Sequence, residues 1–127
     1  MITTSPVQVV DDDEAVRTSL VFVLNAVGFE VSGYSDAKDL LARGQFDRGV
    51  LICDVRMPGM NGIELARLLR QRGSTIPIIL TSGNARDSLK SEAMSVGINA
   101  ILEKPVELAT ILAEIERVML DYSKWIS

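Results

Sequence analysis

Residues 7–14 read VQVVDDDE. An apolar segment, Val7 to Val10, runs straight into Asp11, Asp12 and Asp13, and the stretch from Glu14 onward repeats apolar residues at helical spacing. The design recurs downstream. Val50 to Cys53 ends on Asp54, and Ala100 to Glu103 ends on Lys104, with Pro105 next. Short apolar runs bounded by polar residues read as buried strands. As neighbouring parallel strands they bring their chemistry-bearing ends to one sheet edge. Three carboxylates and one ammonium then share a pocket.

The rest of the chain alternates the same two patterns. Strands are expected at Val7–Val10, Phe29–Tyr34, Val50–Cys53, Ile76–Leu80 and Ala100–Leu102. The first helix is expected over Glu14–Val27, with Val16, Leu20, Val23, Leu24 and Val27 on one face and Gly28 as its stop. The second is Asp36–Arg43, with Asp36 as N-cap. The third, Ile63–Gln71, buries Leu65, Leu68 and Leu69, and the fourth, Ala85–Val96, stops at Gly97. The fifth, Glu107–Leu120, presents Leu108, Ile111, Leu112, Ile115 and Met119.

Strict alternation of strand and helix predicts an α/β fold with a parallel sheet covered on both faces. Right-handed crossovers point to a doubly wound, flavodoxin-like sheet of five strands in the order 2-1-3-4-5, with five helices. Strands 1 and 3 are then neighbours. Their C-terminal ends, carrying Asp11, Asp12 and Asp54, flank the crevice where such folds place ligands. Residues 7–120 form one domain on this reading. Residues 1–6 are an N-terminal extension, and residues 121–127 are a C-terminal tail or the start of a linker, without regular pattern. Trp125 in that tail either docks or stays exposed.

Composition narrows the function. The chain has 127 residues, 47% of them hydrophobic, enough for one domain with a real core. Its net charge of -4 leaves no basic stripe, so direct nucleic-acid binding by this domain is not expected. No apolar run approaches the roughly 18 residues of a membrane span, and no leader peptide is evident. The single Cys53 rules out an internal disulfide and suits a reducing, cytoplasmic compartment. On its strand Cys53 turns away from the acid that follows it, and so belongs to the core. Histidine is absent, which removes histidine triads, histidine metal ligands and a histidine base.

Acids at a helix start cap backbone donors and suit the helix dipole, which accounts for Asp13 and Glu14. That explanation reaches Asp12 only in part and Asp54 not at all. Clustered carboxylates repel one another, and a hard divalent cation removes that cost. Oxygen ligands alone point to Mg2+, with Mn2+ as a substitute. Asp12 and Asp54 are the direct ligands on this reading, Asp11 acts through water, and the Arg56 backbone carbonyl completes the protein share. A carboxylate can attack phosphorus to form an acyl phosphate, which makes Asp54 the acceptor. Lys104 adds positive charge on a phosphate oxygen. Ser82, closing the fourth strand, is placed to donate a hydroxyl proton, and before Gly83 it reads equally as a turn residue. The loop Met57-Pro58-Gly59-Met60 is turn-forming by composition, and its methionines are read as packing residues in preference to a partner contact.

Together these residues resemble the receiver domain of bacterial two-component response regulators. The matching pieces are V-V-D-D-D-E at Val9 to Glu14, D-V-R-M-P-G-M-N-G at Asp54 to Gly62, T-S-G at Thr81 to Gly83 and E-K-P at Glu103 to Pro105. The stretch I-C-D-V-R-M-P is most similar to the nitrogen-fixation regulator branch. The resemblance implies that Asp54 takes a phosphoryl group, with Mg2+, from a sensor histidine kinase or a phosphotransfer protein. It implies an acidic pair in Asp11 and Asp12, a hydroxyl switch in Ser82, and the phosphate's counter-charge in Lys104. It makes the chain a signalling phosphoacceptor rather than an enzyme, with self-catalysed phosphotransfer and slow self-dephosphorylation. Arg56 and Asn84 would tune the phosphate's lifetime. The surface of the fourth helix, fifth strand and fifth helix would engage an output domain or partner, or a second copy on phosphorylation.

One position departs from the pattern. Three residues before the lysine such domains carry an aromatic ring that turns inward; this chain has Ile101. Isoleucine cannot make that rotation, so output is expected to depend on loop and fourth-helix movement instead. Two other chemistries fit less well. An aspartate-nucleophile phosphatase would use Asp11-x-Asp13, but Ala15 stands where a threonine is needed and Asp54 goes unexplained. A flavin-phosphate module needs donors after the first strand, where this chain places acids.

Overall fold

The computed structural model describes residues 5–84 and 86–126, without the side chains of residue 87 and residues 121–126. Five strands, β1 (Pro6–Val10), β2 (Glu30–Tyr34), β3 (Val50–Asp54), β4 (Ile78–Ser82) and β5 (Ala100–Glu103), alternate with five helices. The helices are α1 (Glu14–Val27), α2 (Ala37–Arg43), α3 (Gly62–Gln71), α4 (Asp87–Ser95) and α5 (Leu108–Ile126). The strands form one parallel sheet in the order β2-β1-β3-β4-β5, as the alternation predicts.

Strand periodicity divides the core in two. Val10, Leu51, Cys53, Ile78 and Leu80 point to one face, where Leu40 of α2, Leu65 and Leu69 of α3 and Ala93 of α4 cover them. Val7, Val9, Val50, Ile52 and Ile79 point to the other, beneath Leu24 of α1 and Ile111, Ile115 and Val118 of α5. Burying each such Leu or Ile stabilises the fold by about 1.5–3 kcal/mol before chain entropy is subtracted. Cys53 is a core residue, as its strand position predicts.

Helix ends follow local chemistry. Asp13 caps α1 by accepting from the Val16 N–H, and Gly28 ends it at φ 120°, a conformation that suits only glycine. Asp36 caps α2 through the Asp39 N–H. Asn61 and Glu64 form a reciprocal capping box at α3.

Several boundaries differ from expectation. The first strand starts at Pro6 rather than Val7; residues 1–4 lie outside the described residues. The fourth strand starts at Ile78 rather than Ile76, because Pro77 has no N–H and offers only its carbonyl, to the Leu51 N–H. Helix α4 starts at Asp87, and Ala85 lies outside the described residues. Helix α5 does not stop at Leu120 but runs to Ile126; residues 121–126 contain neither Gly nor Pro to end it. The placement of the Trp125 side chain lies outside the described residues.

The helix faces are also adjusted. In α3 the buried stripe is Ile63, Leu65, Ala66 and Leu69, with Leu68 half-buried. In α5, Val118 is buried and Leu108 is exposed. Val16 of α1 and Leu108 of α5 both line an apolar cleft of about 640 Å³ between those helices, which is why neither is covered.

Candidate functional site

The sheet order sets β1 beside β3 and β4 between β3 and β5, so the four strand ends converge. Asp11 follows β1, Asp54 closes β3, Ser82 closes β4 and Lys104 follows β5. The carboxylates of Asp11, Asp12 and Asp54 each offer an oxygen within 4.8 Å of the others. Asp11 and Asp54 are buried, whereas Asp12 is exposed at the mouth. Lys104 Nζ lies 3.1 Å from Asp11 Oδ2 and 3.2 Å from Asp54 Oδ2. The fold thus brings together Asp11, Asp12, Asp54 and Lys104, the four residues that the strand-end pattern singles out.

Each side chain is held by backbone. The Lys104 N–H donates to the Ser82 carbonyl at 2.8 Å, tying the lysine to the hydroxyl-bearing end of β4. The Lys104–Pro105 peptide bond is cis. Asp54 pairs in register with Thr81, and the Val55 N–H donates to the Thr81 carbonyl at 2.9 Å. The loop after β3 then folds back, with the Gly62 N–H on the Val55 carbonyl at 2.9 Å. A Cβ on Gly62 would sit 2.6 Å from the Asp54 carbonyl oxygen, so only glycine lets α3 begin this close to the acid.

Burial raises the Asp54 carboxyl above its ordinary range; the Lys104 charge opposes that and the Asp11 charge adds to it. A backbone hydrogen bond from Arg56 also favours the charged form. At Lys104 burial works against the charge, but the hydrogen bond and attraction of Asp11, with the attraction of Asp54, outweigh it, and its pKa is raised. One ammonium cannot balance three carboxylates. A hard divalent cation fits this donor set, which is oxygen-only, has one exposed member and carries surplus negative charge.

The remaining expected residues sit around this core. Ser82 is buried, and its Oγ accepts from the Asn84 N–H at 3.0 Å. Accepting that bond gives Ser82 a turn role. Asn84 and Arg56 are exposed on the two flanking loops. Ile101 is half-buried in β5, opposite Leu80, and packs against the core face covered by α3 and α4. Met57 is buried and Met60 half-buried on that same face, as packing residues.

Two contributors escape a reading by strand ends. Gly62 is required by a through-space contact with Asp54. Arg17 in α1 donates from Nη1 to the Asp11 carbonyl at 2.7 Å. A polar residue one turn into an amphipathic helix carries no signal of that kind.

Comparison with known proteins agrees with the geometry. A family model described as "Response regulator receiver domain" matches residues 7–116. The chain is 42% identical over 111 residues to the transcriptional regulatory protein FixJ of Azorhizobium caulinodans, covering 87% of this chain and 53% of that protein. It superposes on the crystal structure of FixJ-N with TM-score 0.81 and 39% identity, covering 90% of this chain and 92% of that one. Against full-length FixJ from B. japonicum the TM-score is 0.79 at 40% identity, with 91% of this chain and 57% of that chain covered. The chain thus spans about half the length of the curated relatives it matches.

Proposed function

The chain belongs to the response regulator receiver family, as a receiver domain of the FixJ-like kind, and from that premise we propose that Asp54 is its phosphoacceptor. Receiver domains are signalling domains whose general function is phosphorylation-dependent control of an output domain. No helix among the described residues is long and apolar enough to cross a membrane.

The observation that carries the assignment is the Lys104 ammonium shared between Asp11 and Asp54 beside the three-carboxylate cluster. Asp12 and Asp54 are the candidate ligands for Mg2+, with Asp11 acting through water and the Arg56 carbonyl as a further oxygen. A bound Mg2+ supplies charge neutralisation for the transferring group. An Asp54 carboxylate oxygen forms a bond to phosphorus as the bond from phosphorus to the donor's nitrogen breaks. The electron pair of that bond leaves with the donor imidazole. Lys104 pairs with a phosphoryl oxygen, and the Ser82 hydroxyl donates to another.

The donor we propose is a sensor histidine kinase or a phosphotransfer protein, and the setting the cytoplasm. The readout surface is α4, β5 and α5, used by an output domain, a partner or a second copy. Because Ile101 is a compact aliphatic residue, the signal passes through the Ser82–Asn84 loop and α4. Arg56 and Asn84 flank the acceptor on opposite loops and govern water access to the acyl phosphate, and hence its slow hydrolysis.

The test is intact-mass analysis after incubation with Mg2+ and a small-molecule phosphodonor. One phosphoryl adduct is expected, stable to acid, labile to base and absent in Asp54→Ala. An adduct that persists in that variant, or equal labelling without a divalent ion, would sink the assignment.

A further inference from the structure

We propose that Arg17 is a positioning residue for the metal-binding carboxylates, acting through the backbone carbonyl of Asp11. The inference rests on the reading of Asp11, Asp12 and Asp54 as a divalent-cation site and adds to it a residue outside the pocket.

Pairing of β1 with both neighbours ends at Val10. The Asp11 N–H still reaches the Tyr34 carbonyl at 3.1 Å, but the Asp11 carbonyl lies beyond the paired registers. A backbone acceptor attached to a buried residue needs a partner. Arg17 supplies it from six residues further on, with Nη1 2.7 Å from that oxygen. The length is that of a charge-assisted hydrogen bond.

The arginine stem has a prepared path. It lies over Gly33 of β2, where an added Cβ would sit 3.3 Å from Arg17 Cγ, 3.4 Å from Arg17 Cδ and 3.2 Å from Val21 Cγ2. Any larger residue there would crowd the stem. The side chain is thus carried across the sheet edge toward one oxygen.

Holding that oxygen holds more than Asp11. A carbonyl and the next N–H share one rigid plane, so fixing the Asp11 C=O fixes the start of Asp12. Asp12 is exposed, so its carboxylate takes its aim from the backbone. The Asp11 carboxylate is itself spanned, with Oδ1 on the Asp13 N–H at 2.9 Å and Oδ2 on Lys104 at 3.1 Å. One guanidinium therefore steadies the segment from which two of the three carboxylates arise. Its charge opposes a bound cation, so attraction for the ion does not account for its place; the hydrogen bond does.

The test separates these effects. Arg17→Lys keeps the charge, but its side chain is one bond shorter and withdraws from the carbonyl. Titration calorimetry of the unphosphorylated protein is expected to show Mg2+ binding weakened about tenfold, the low end for loss of an outer-shell partner. The Asp12 amide resonance is expected to shift in the metal-free variant. Asp54 labelling at saturating Mg2+ is expected to return to the wild-type level. Arg17→Met also removes the repulsion and is expected to weaken binding less. An unchanged or tighter Mg2+ constant in Arg17→Lys, or an unmoved Asp12 amide, overturns the inference and leaves the acceptor assignment intact. Wild-type protein that fails to bind Mg2+ or to label at Asp54 overturns the functional reading instead.

Discussion

Lys104 places its ammonium 3.2 Å from Asp54 Oδ2, and the same ammonium lies 3.1 Å from Asp11 Oδ2. One cation is therefore divided between two buried acids, with a third carboxylate at the mouth. The pocket is over-supplied with negative charge in the absence of metal, and its strain centres on Asp54, whose carboxyl burial pushes up. This imbalance makes the fold's stability depend on what enters the site.

Asp54→Asn is expected to stabilise the metal-free protein. The amide still accepts from Lys104 but carries no charge to desolvate or to repel Asp11. The gain should be about 1 kcal/mol at neutral pH, or a few degrees in melting temperature. Mg2+ should then raise the melting temperature of the wild type more than that of the variant, since it binds the native acids. Thermal melts with and without Mg2+ check both; a destabilised metal-free Asp54→Asn would contradict the charge argument.

Ile101 shapes the second prediction. It packs half-buried against the core and has no ring to swing. Saturation with a phosphate mimic is expected to move the backbone amides of Ser82, Gly83 and Asn84 more than the Ile101 methyls. Two-dimensional NMR spectra decide it. A large Ile101 rotamer change with silent loop amides would count against loop-borne output.

Arg70 supplies a stability test away from the site. Its guanidinium donates to the Ser74 carbonyl at 3.1 Å, the Ile76 carbonyl at 2.9 Å and the Gly97 carbonyl at 2.7 Å. It thereby ties the end of α3 to the entry of β4 and the turn before β5. Burial lowers its pKa but leaves it charged near neutrality. Arg70→Met keeps the stem and removes the donors. The expected cost is about 1–3 kcal/mol, because water reaches part of this cluster and replaces some of the bonds. Urea unfolding monitored by circular dichroism measures it, with an unchanged midpoint as the contrary outcome.

Asp39 and Arg43 form an exposed pair one helical turn apart in α2, bonded at 2.7 and 2.8 Å. The hydrogen bond to Arg43 holds the Asp39 carboxyl below its ordinary 3.8, with burial acting in the opposite direction. A depressed folded pKa contributes stability above the unfolded value, and that contribution fades as pH falls through the folded one. The pair's contribution should therefore be present above about pH 4 and be lost below it, in the approach to acid unfolding. Arg43→Met is expected to return the Asp39 titration, followed by carboxyl NMR, toward 3.8. A titration unmoved by the substitution would place the cause elsewhere.

Much of this molecule is legible without coordinates, for a local reason. Val7–Val10, Val50–Cys53 and Ala100–Leu102 announce strands by composition alone, the first two fully buried and the third, on the edge strand β5, only half-buried, and crossover handedness then leaves few ways to order them. Once the order is set, Asp11, Asp54 and Lys104 converge because each stands at the C-terminal end of its strand. Helix ends were equally readable where a single residue governs them, as with Asp13, Asp36 and Gly28. Reading failed where the governing partner is distant or the signal is an absence. Helix α5 continues past Leu120 because nothing stops it, and Tyr122, Trp125 and Ile126 keep the helical spacing of Ile115, Val118 and Met119.

The amino-acid sequence by itself determined the sheet, its order and the membership of the acidic pocket, since periodicity and strand-end chemistry are local properties. Only the tertiary structure decided how that pocket is held. Arg17 reaches the Asp11 carbonyl, Gly62 yields to the Asp54 carbonyl, and Lys104 divides itself between two acids. Those relations depend on which backbone atoms are left unpaired or crowded once the strands have docked, and no pattern along the chain encodes such distances.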